Sequence, residues 1–154
     1  MACLTNNVDW AVRLTEAGPC ANIIQKYEEN PLQTVAGHKI MCRYSVYLKG
    51  VVPLEAHVSK RVQVLNAAKK FTMQVPSFGD EGVHLCTETC PADFYSTLAD
   101  HEQMTARAVD AIRSVLRAFQ VQFGAEIKEA SEDLRRGIYT VDIQFDAKKE
   151  KASV

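Results

Sequence analysis

Nothing in the chain approaches a membrane span. Its apolar runs fall well short of the roughly 18 consecutive residues that a span needs. Met1 to Asn30 lacks the basic stretch followed by an apolar one that marks a secretory signal, so a secreted protein is not expected. Nor does that stretch look like an organelle presequence, because Asp9, Glu16, Glu28 and Glu29 balance Arg13 and Lys26 and such presequences avoid acids. There is no internal repeat and no low-complexity segment. Charge of one sign is also missing: 18 basic side chains meet 19 acidic ones, for a net charge of −1. A free-standing binder of nucleic-acid phosphates would be distinctly basic. The familiar motifs are absent as well. There is no Gly-rich phosphate cradle, no Gly-x-Ser-x-Gly and no His-Glu-x-x-His. The strands offer no aromatic pair of the kind on which RNA-recognition domains stack bases.

What remains is a chain of 154 residues, 47% hydrophobic and 24% charged, which is the size and composition of one globular domain. Its five cysteines, Cys3, Cys20, Cys42, Cys86 and Cys90, are odd in number. Without a secretion signal that count favours free thiols in a reducing compartment.

The pattern along the chain predicts a helical extension over 1–38, with a broken helix at 8–29 interrupted by Gly18-Pro19. Residues 39–49 alternate, with Ile40, Cys42, Tyr44, Val46 and Leu48 facing one way, and so predict a half-buried strand. Pro53 opens a stretch where Leu54, Val58, Val62, Leu65 and Ala68 recur every three to four residues, which predicts a helix over 53–70. Phe71 to Val75 and Val83 to Cys86 read as a hairpin around the turn residues 76–82. A long helix is predicted over 91–123, continuing less regularly over 125–135, and a closing strand runs from Tyr139 to Phe145. The order β-α-β-β-α-β predicts an α+β fold of the ferredoxin-like kind over 39–146, followed by a charged tail at 147–154. The open sheet face is expected to carry Arg43, Ser45, Tyr47, Thr72, Gln74, His84, Cys86, Asp142 and Gln144.

The candidate site residues follow from that layout. His84, Cys86, Cys90 and His101 supply two thiols and two imidazoles, the donor types of a tetrahedral zinc site, although their spacing is not a standard one. The bland alternative is free cysteines at a strand end and two ordinary histidines. Cys90 precedes Pro91 at an expected helix start, where the local dipole lowers a thiol pKa, but no base is predictably adjacent and a plain cap is the simpler reading. Arg107, Arg113 and Arg117 lie mostly off the apolar helical stripe. Together with Arg135 and Arg136 they form a modest basic strip. With Arg43 and Tyr47 on the sheet, they are the candidate contacts to RNA or to a partner.

Three segments carry a family resemblance: Tyr44-Ser45-Val46-Tyr47-Leu48-Lys49-Gly50 leading to Phe71-Thr72-Met73-Gln74-Val75, then Asp100-His101-Glu102-Gln103, then Gly137 to Ile143. Over residues 40–146 the chain resembles the ribosomal protein S-ten family, most of all its divergent mitochondrial relatives. The resemblance implies a non-enzymatic subunit of a mitochondrial ribosome, in contact with other subunits and with ribosomal RNA. It places the chain in the mitochondrial matrix, with the cytoplasm as the alternative. The acidic loop 76–82, where the family is basic, points to protein contacts at the periphery. Two other readings stand beside it. One is a ferredoxin-like homodimeric enzyme or ligand-binding protein using the open sheet face. The other is a self-assembling viral or cytoskeletal structural subunit.

Overall fold

The computed structural model describes residues 27–129 and 136–154. The expected helices of 8–29, with Trp10, Leu14, Ile23 and Ile24, fall almost wholly outside the described residues, as does Arg135.

The alternation over 39–49 forms β1 (His38–Gly50), with Ile40, Cys42, Tyr44, Val46 and Leu48 all buried. The next segment is not a helix. It is a second long strand, β2 (Glu55–Lys70), antiparallel to β1. Residues 71–75, expected to be a strand, do not pair; Phe71 leads into a single 3-10 turn at Val75–Ser77. His84 closes a one-turn helix, α1 (Glu81–His84), whose start is capped by the Asp80 carboxylate accepting from the Gly82 amide at 3.0 Å. A short strand, β3 (Cys86–Thr89), then returns to β2. The expected helix over 91–123 splits in two. A single turn, α2 (Phe94–Thr97), is followed by a break at Asp100, whose φ of 63° is left-handed, and α3 (His101–Glu129) starts only there. The closing strand forms as expected, β4 (Gly137–Phe145), and Ala152–Ser153 pairs with it as β5.

The result is a mixed α+β structure: a five-stranded antiparallel sheet in the order β3-β2-β1-β4-β5, with one long helix. Its order departs from the ferredoxin-like β-α-β-β-α-β pattern because residues 55–70 are strand. β1 therefore meets its chain neighbour directly, as a hairpin joined through Gly50 and Val51 to Leu54. One sheet face is the core. Ile40, Cys42, Tyr44 and Val46 of β1 pack with Val62 and Val64 of β2, Ile143 and Phe145 of β4, and the α3 stripe Met104, Ala108 and Ile112. The 3.6-residue period of α3 sets those three side chains on one face, and the two-residue period of the strands meets them from the other side. Within this core the Tyr44 and Tyr95 hydroxyls share a hydrogen bond of 2.7 Å. Tyr95 in turn reaches the Thr105 hydroxyl at 2.9 Å and the His101 carbonyl at 3.1 Å. The opposite face, built from odd-numbered β1 residues, is not covered by α3.

Among the described residues, no helix is long and apolar enough to cross a membrane.

Candidate functional site

Alternation places Lys39, Met41 and Arg43 in a row on the face of β1 turned away from α3. The β1–β4 register sets Arg43 beside Asp142, and Gln144 follows two residues further along β4 on the same face. The Segment Pro31–Gln33 bridges the ends of both strands, with the Leu32 amide donating to the Phe145 carbonyl at 2.8 Å. It thereby brings Tyr27 and Glu28 over the same end. The result is a cleft of about 460 Å³ lined by Tyr27, Glu28, Met41, Asp142, Gln144 and, from the C-terminal segment, Lys151, Ser153 and Val154. That volume lies within the range of small-molecule sites.

The polar residues in and beside this cleft have a specific geometry, although Arg43 and Lys39 are not among those that line it. Arg43 Nε and Nη2 donate to Asp142 Oδ1 and Oδ2 at 2.7 and 2.8 Å, a two-pronged pair. The carboxylate holds the guanidinium charged, raising its pKa above the usual value. Lys39 is 6% exposed, which is unusual for lysine. Its ammonium donates to the Tyr27 hydroxyl and to the His84 carbonyl, both at 3.1 Å, and stands 4.5 Å from the centre of the Tyr27 ring. Burial lowers its pKa, while the nearby Cys86 and Glu28 push it back up. Gln144 Nε2 is shielded from solvent and has no hydrogen-bond partner among the described residues. Such a group is a donor waiting for an acceptor.

Behind Lys39 lies an aromatic cluster. His84, 8% exposed, accepts or donates at Nδ1 with the Tyr27 hydroxyl at 2.9 Å and meets the rings of Tyr27, Phe71 and Phe78 edge-on. Burial lowers the His84 pKa. Cys86 donates its thiol to the Lys39 carbonyl at 3.5 Å, and burial pushes its pKa up to about 11.

The remaining expected site residues are dispersed. Tyr47 lies on the open face but stacks on His57, with centroids 6.4 Å apart. Arg107, Arg113 and Arg117 stand on α3, on the other side of the sheet from Arg43. Arg107 donates to the Lys149 carbonyl and so ties down the C-terminal segment. Arg113 pairs with Asp110, Arg117 borders a groove, and Arg136 immediately precedes β4. Of the four zinc candidates, His84 is committed to Tyr27, and Cys86 to the Lys39 carbonyl. Cys90 donates to Asn66 at 3.3 Å, and His101 Nδ1 lies 3.2 Å from the Leu98 carbonyl. Among the described residues, no three His, Cys, Asp or Glu side chains are placed to hold a metal ion. Cys90 is not an activated thiol: no helix begins directly after it, and burial and Glu88 raise its pKa.

Sequence reasoning put Arg43, Asp142 and Gln144 on the open sheet face, where the β1–β4 register sets Arg43 beside Asp142. It missed Lys39, Tyr27 and Glu28. The parity of Lys39 with Arg43 was a usable signal for the first. Tyr27 and Glu28 reach the cleft only through the bridge at Pro31, which no local pattern announces.

Comparison with known proteins supplies the class. A family model described as the tubulin-tyrosine ligase family matches residues 11–137, most of the chain. No curated protein matches it. Members of that family are ligases. The match overturns the resemblance to the ribosomal protein S-ten family, and with it the expectation of a non-enzymatic subunit of a mitochondrial ribosome or other ribonucleoprotein. It equally displaces the ferredoxin-like homodimer and the self-assembling structural subunit. The physical reason is β2. The two halves of the first resembling segment were joined by a supposed helix over 53–70, and residues 55–70 are strand. The mitochondrial matrix had no support apart from that resemblance.

Proposed function

The chain belongs to the tubulin-tyrosine ligase family, and from that premise we propose that it is part of an ATP-grasp-like ligase whose reaction site is the cleft on the open sheet face. A ligase joins two substrates at the expense of a nucleoside triphosphate. Its site therefore needs donors for phosphate oxygens, an oxygen ligand for the accompanying magnesium, and shelter from water.

The described residues fit that requirement. The Arg43 guanidinium is a planar fork that matches phosphate as well as carboxylate. Asp142 offers the hard oxygen that magnesium prefers. Lys151 adds positive charge to the cleft from the C-terminal segment. The Gln144 amide supplies an unmatched donor, and Tyr27 with Met41 supplies an apolar wall. The nucleotide, when bound, contributes the phosphoryl group that activates a carboxylate. The chain's own residues bind and orient it and neutralise its charge. The family's name denotes ligation of tyrosine to tubulin, and we extend to this chain the same class of reaction, an amino acid joined to a protein.

The observation that carries this reading is the set Met41, Asp142, Gln144, Tyr27, Glu28 and Lys151 lining one cleft, with Arg43 held against Asp142 beside it. Equilibrium dialysis of the full chain against radiolabelled ATP with magnesium tests it. Saturable binding that is lost in Arg43→Ala is expected. Retention of full binding in that variant, or no binding at about 1 mM ATP, would refute it.

A further inference from the structure

β4 has an open outer edge. β1 covers its inner side from Gly137 to Ile143, whereas β5 reaches its outer side only at Gln144 and Phe145. Among the described residues nothing pairs with the outer side of 137–143. A free edge presents unmatched N–H and C=O groups, and folded proteins blunt it with charge, proline or a bulge.

β2 is blunted in that way where β3 leaves it bare, by Lys60, Arg61 and the irregularity between Val58 and Val62. β4 is not. Its register with β1 is unbroken from Gly137 to Ile143. That stretch holds no proline, lysine or arginine, and its one charge, Asp142, is matched by Arg43. Ile138 is 78% exposed on the open face. Tyr139, opposite Val46 and so on the α3 face, is half exposed.

α3 adds apolar surface on the same flank. Arg113, Leu116 and Gln120 line a groove with Ala56 and Val58, on the β2 side of the helix. At about 100° per residue, Val115 and Phe119 fall on the other flank, towards β4, and both are exposed. Exposed apolar side chains therefore border the bare edge on both sides of the sheet.

The same edge of a second copy fits this surface. Antiparallel pairing about a two-fold axis at Tyr139 sets that ring against its own counterpart. Ile138 then stands opposite Thr140, and Gly137 leaves room opposite Val141. The same register sets Arg136 of one copy opposite Asp142 of the other, at each end of the ladder and on one face. Opposite charges meet there, and no like charges are opposed within the ladder. An axis perpendicular to the sheet keeps both copies of α3 on one side, so Val115 and Phe119 of each flank the seam.

We propose that the outer edge of β4 pairs with its counterpart in a second copy of the chain, giving a two-fold dimer with one continuous sheet centred on Tyr139. The contact uses the sheet edge and not the open face, and it does not depend on the ligase reading.

Sedimentation velocity of the full chain between about 1 and 100 µM tests this. A monomer–dimer equilibrium is expected, with deuterium exchange at the amides of residues 138–141 slower in the dimer. Ile138→Lys puts a guarding charge at an exposed site. With circular dichroism unchanged, it should weaken the dimer about 10-fold or more. Directly opposed strand residues have Cα atoms about 4.5–5.5 Å apart, within disulfide reach. Mild oxidation of Tyr139→Cys should therefore give a reducible dimer band well above that of the wild-type chain or of Val141→Cys. A chain that stays monomeric at about 100 µM would overturn the proposal. So would a dimer with unchanged exchange at 138–141, a dimer indifferent to Ile138→Lys, or a dimer in which Tyr139→Cys does not cross-link. Open-ended assemblies larger than a dimer would overturn it as well.

Discussion

The buried tyrosine pair gives a prediction whose sign depends on direction. Tyr44 is fully buried, and its hydroxyl has one hydrogen-bond partner, the Tyr95 hydroxyl at 2.7 Å. Tyr95 has three: Tyr44, Thr105 and the His101 carbonyl. Burial raises the pKa of both phenols, Tyr44 far above its ordinary value, so both stay protonated across the working pH range. Tyr44→Phe removes one neutral hydrogen bond but leaves Tyr95 two partners, so the cost is about 1 kcal/mol. Tyr95→Phe leaves the Tyr44 hydroxyl buried and unmatched. The cost is then the desolvation of that group, about 2 kcal/mol and up to about 3. For a chain of this size each kcal/mol lowers Tm by roughly 2–4 °C. Expected shifts are therefore about 3 °C for Tyr44→Phe and about 6 °C for Tyr95→Phe. The double variant removes both hydroxyls together, and Thr105 still donates to the His101 carbonyl at 2.8 Å. It should lose less than Tyr95→Phe alone, because no hydroxyl is left stranded. Calorimetric melts, or urea unfolding where the chain refolds, read all three. Equal costs for the two single variants, or a double variant that equals their sum, would refute the assigned geometry.

The other predictions concern the cleft, the histidine, the thiols and the core. Arg43→Ala should change stability by less than about 1 kcal/mol, because the Arg43 and Asp142 side chains are 35% and 38% exposed, while abolishing nucleotide binding by dialysis. His84 has its folded-state pKa lowered by burial, with Lys39 adding to the effect. Its contribution is therefore present above its unfolded pKa, about 6.5, and is lost as pH falls below that value. Urea midpoints should drop between about pH 7 and pH 5, and His84→Gln should flatten that drop. The Cys42 thiol, pushed up to about 12 by burial, and Cys86, at about 11, should resist iodoacetamide at about pH 8 while Cys90 reacts faster, as mass spectrometry of peptides would show. Ile112→Ala should cost about 2–5 kcal/mol through the cavity left beneath α3, measured by chemical unfolding.

β1 and β4 were legible because their alternation is unbroken and each buries one face. β2 was not, and the reason is local. The two extra residues between Val58 and Val62 return the chain to the core face after four residues instead of two. Leu54, Val58, Val62 and Leu65 then imitate a helical stripe. The β-branched valines at 58, 62 and 64 pointed the other way, and packing against β1 decided the matter. The long helix was legible in its period but not in its start. Asp100 adopts a left-handed φ that nothing in the helical pattern from Pro91 onward foretold. At the site, Arg43 and Asp142 were separately visible as outward residues of two strands. Their pairing depends on the β1–β4 register, which is a property of the whole sheet.

The measurement closest to the central claim is transfer of radiolabelled tyrosine to tubulin by the purified full chain, with and without ATP. The ligase account expects label to become covalently attached only with ATP, and to fall to background in Arg43→Ala. ATP-independent labelling, or labelling that is unchanged in Arg43→Ala, would contradict it.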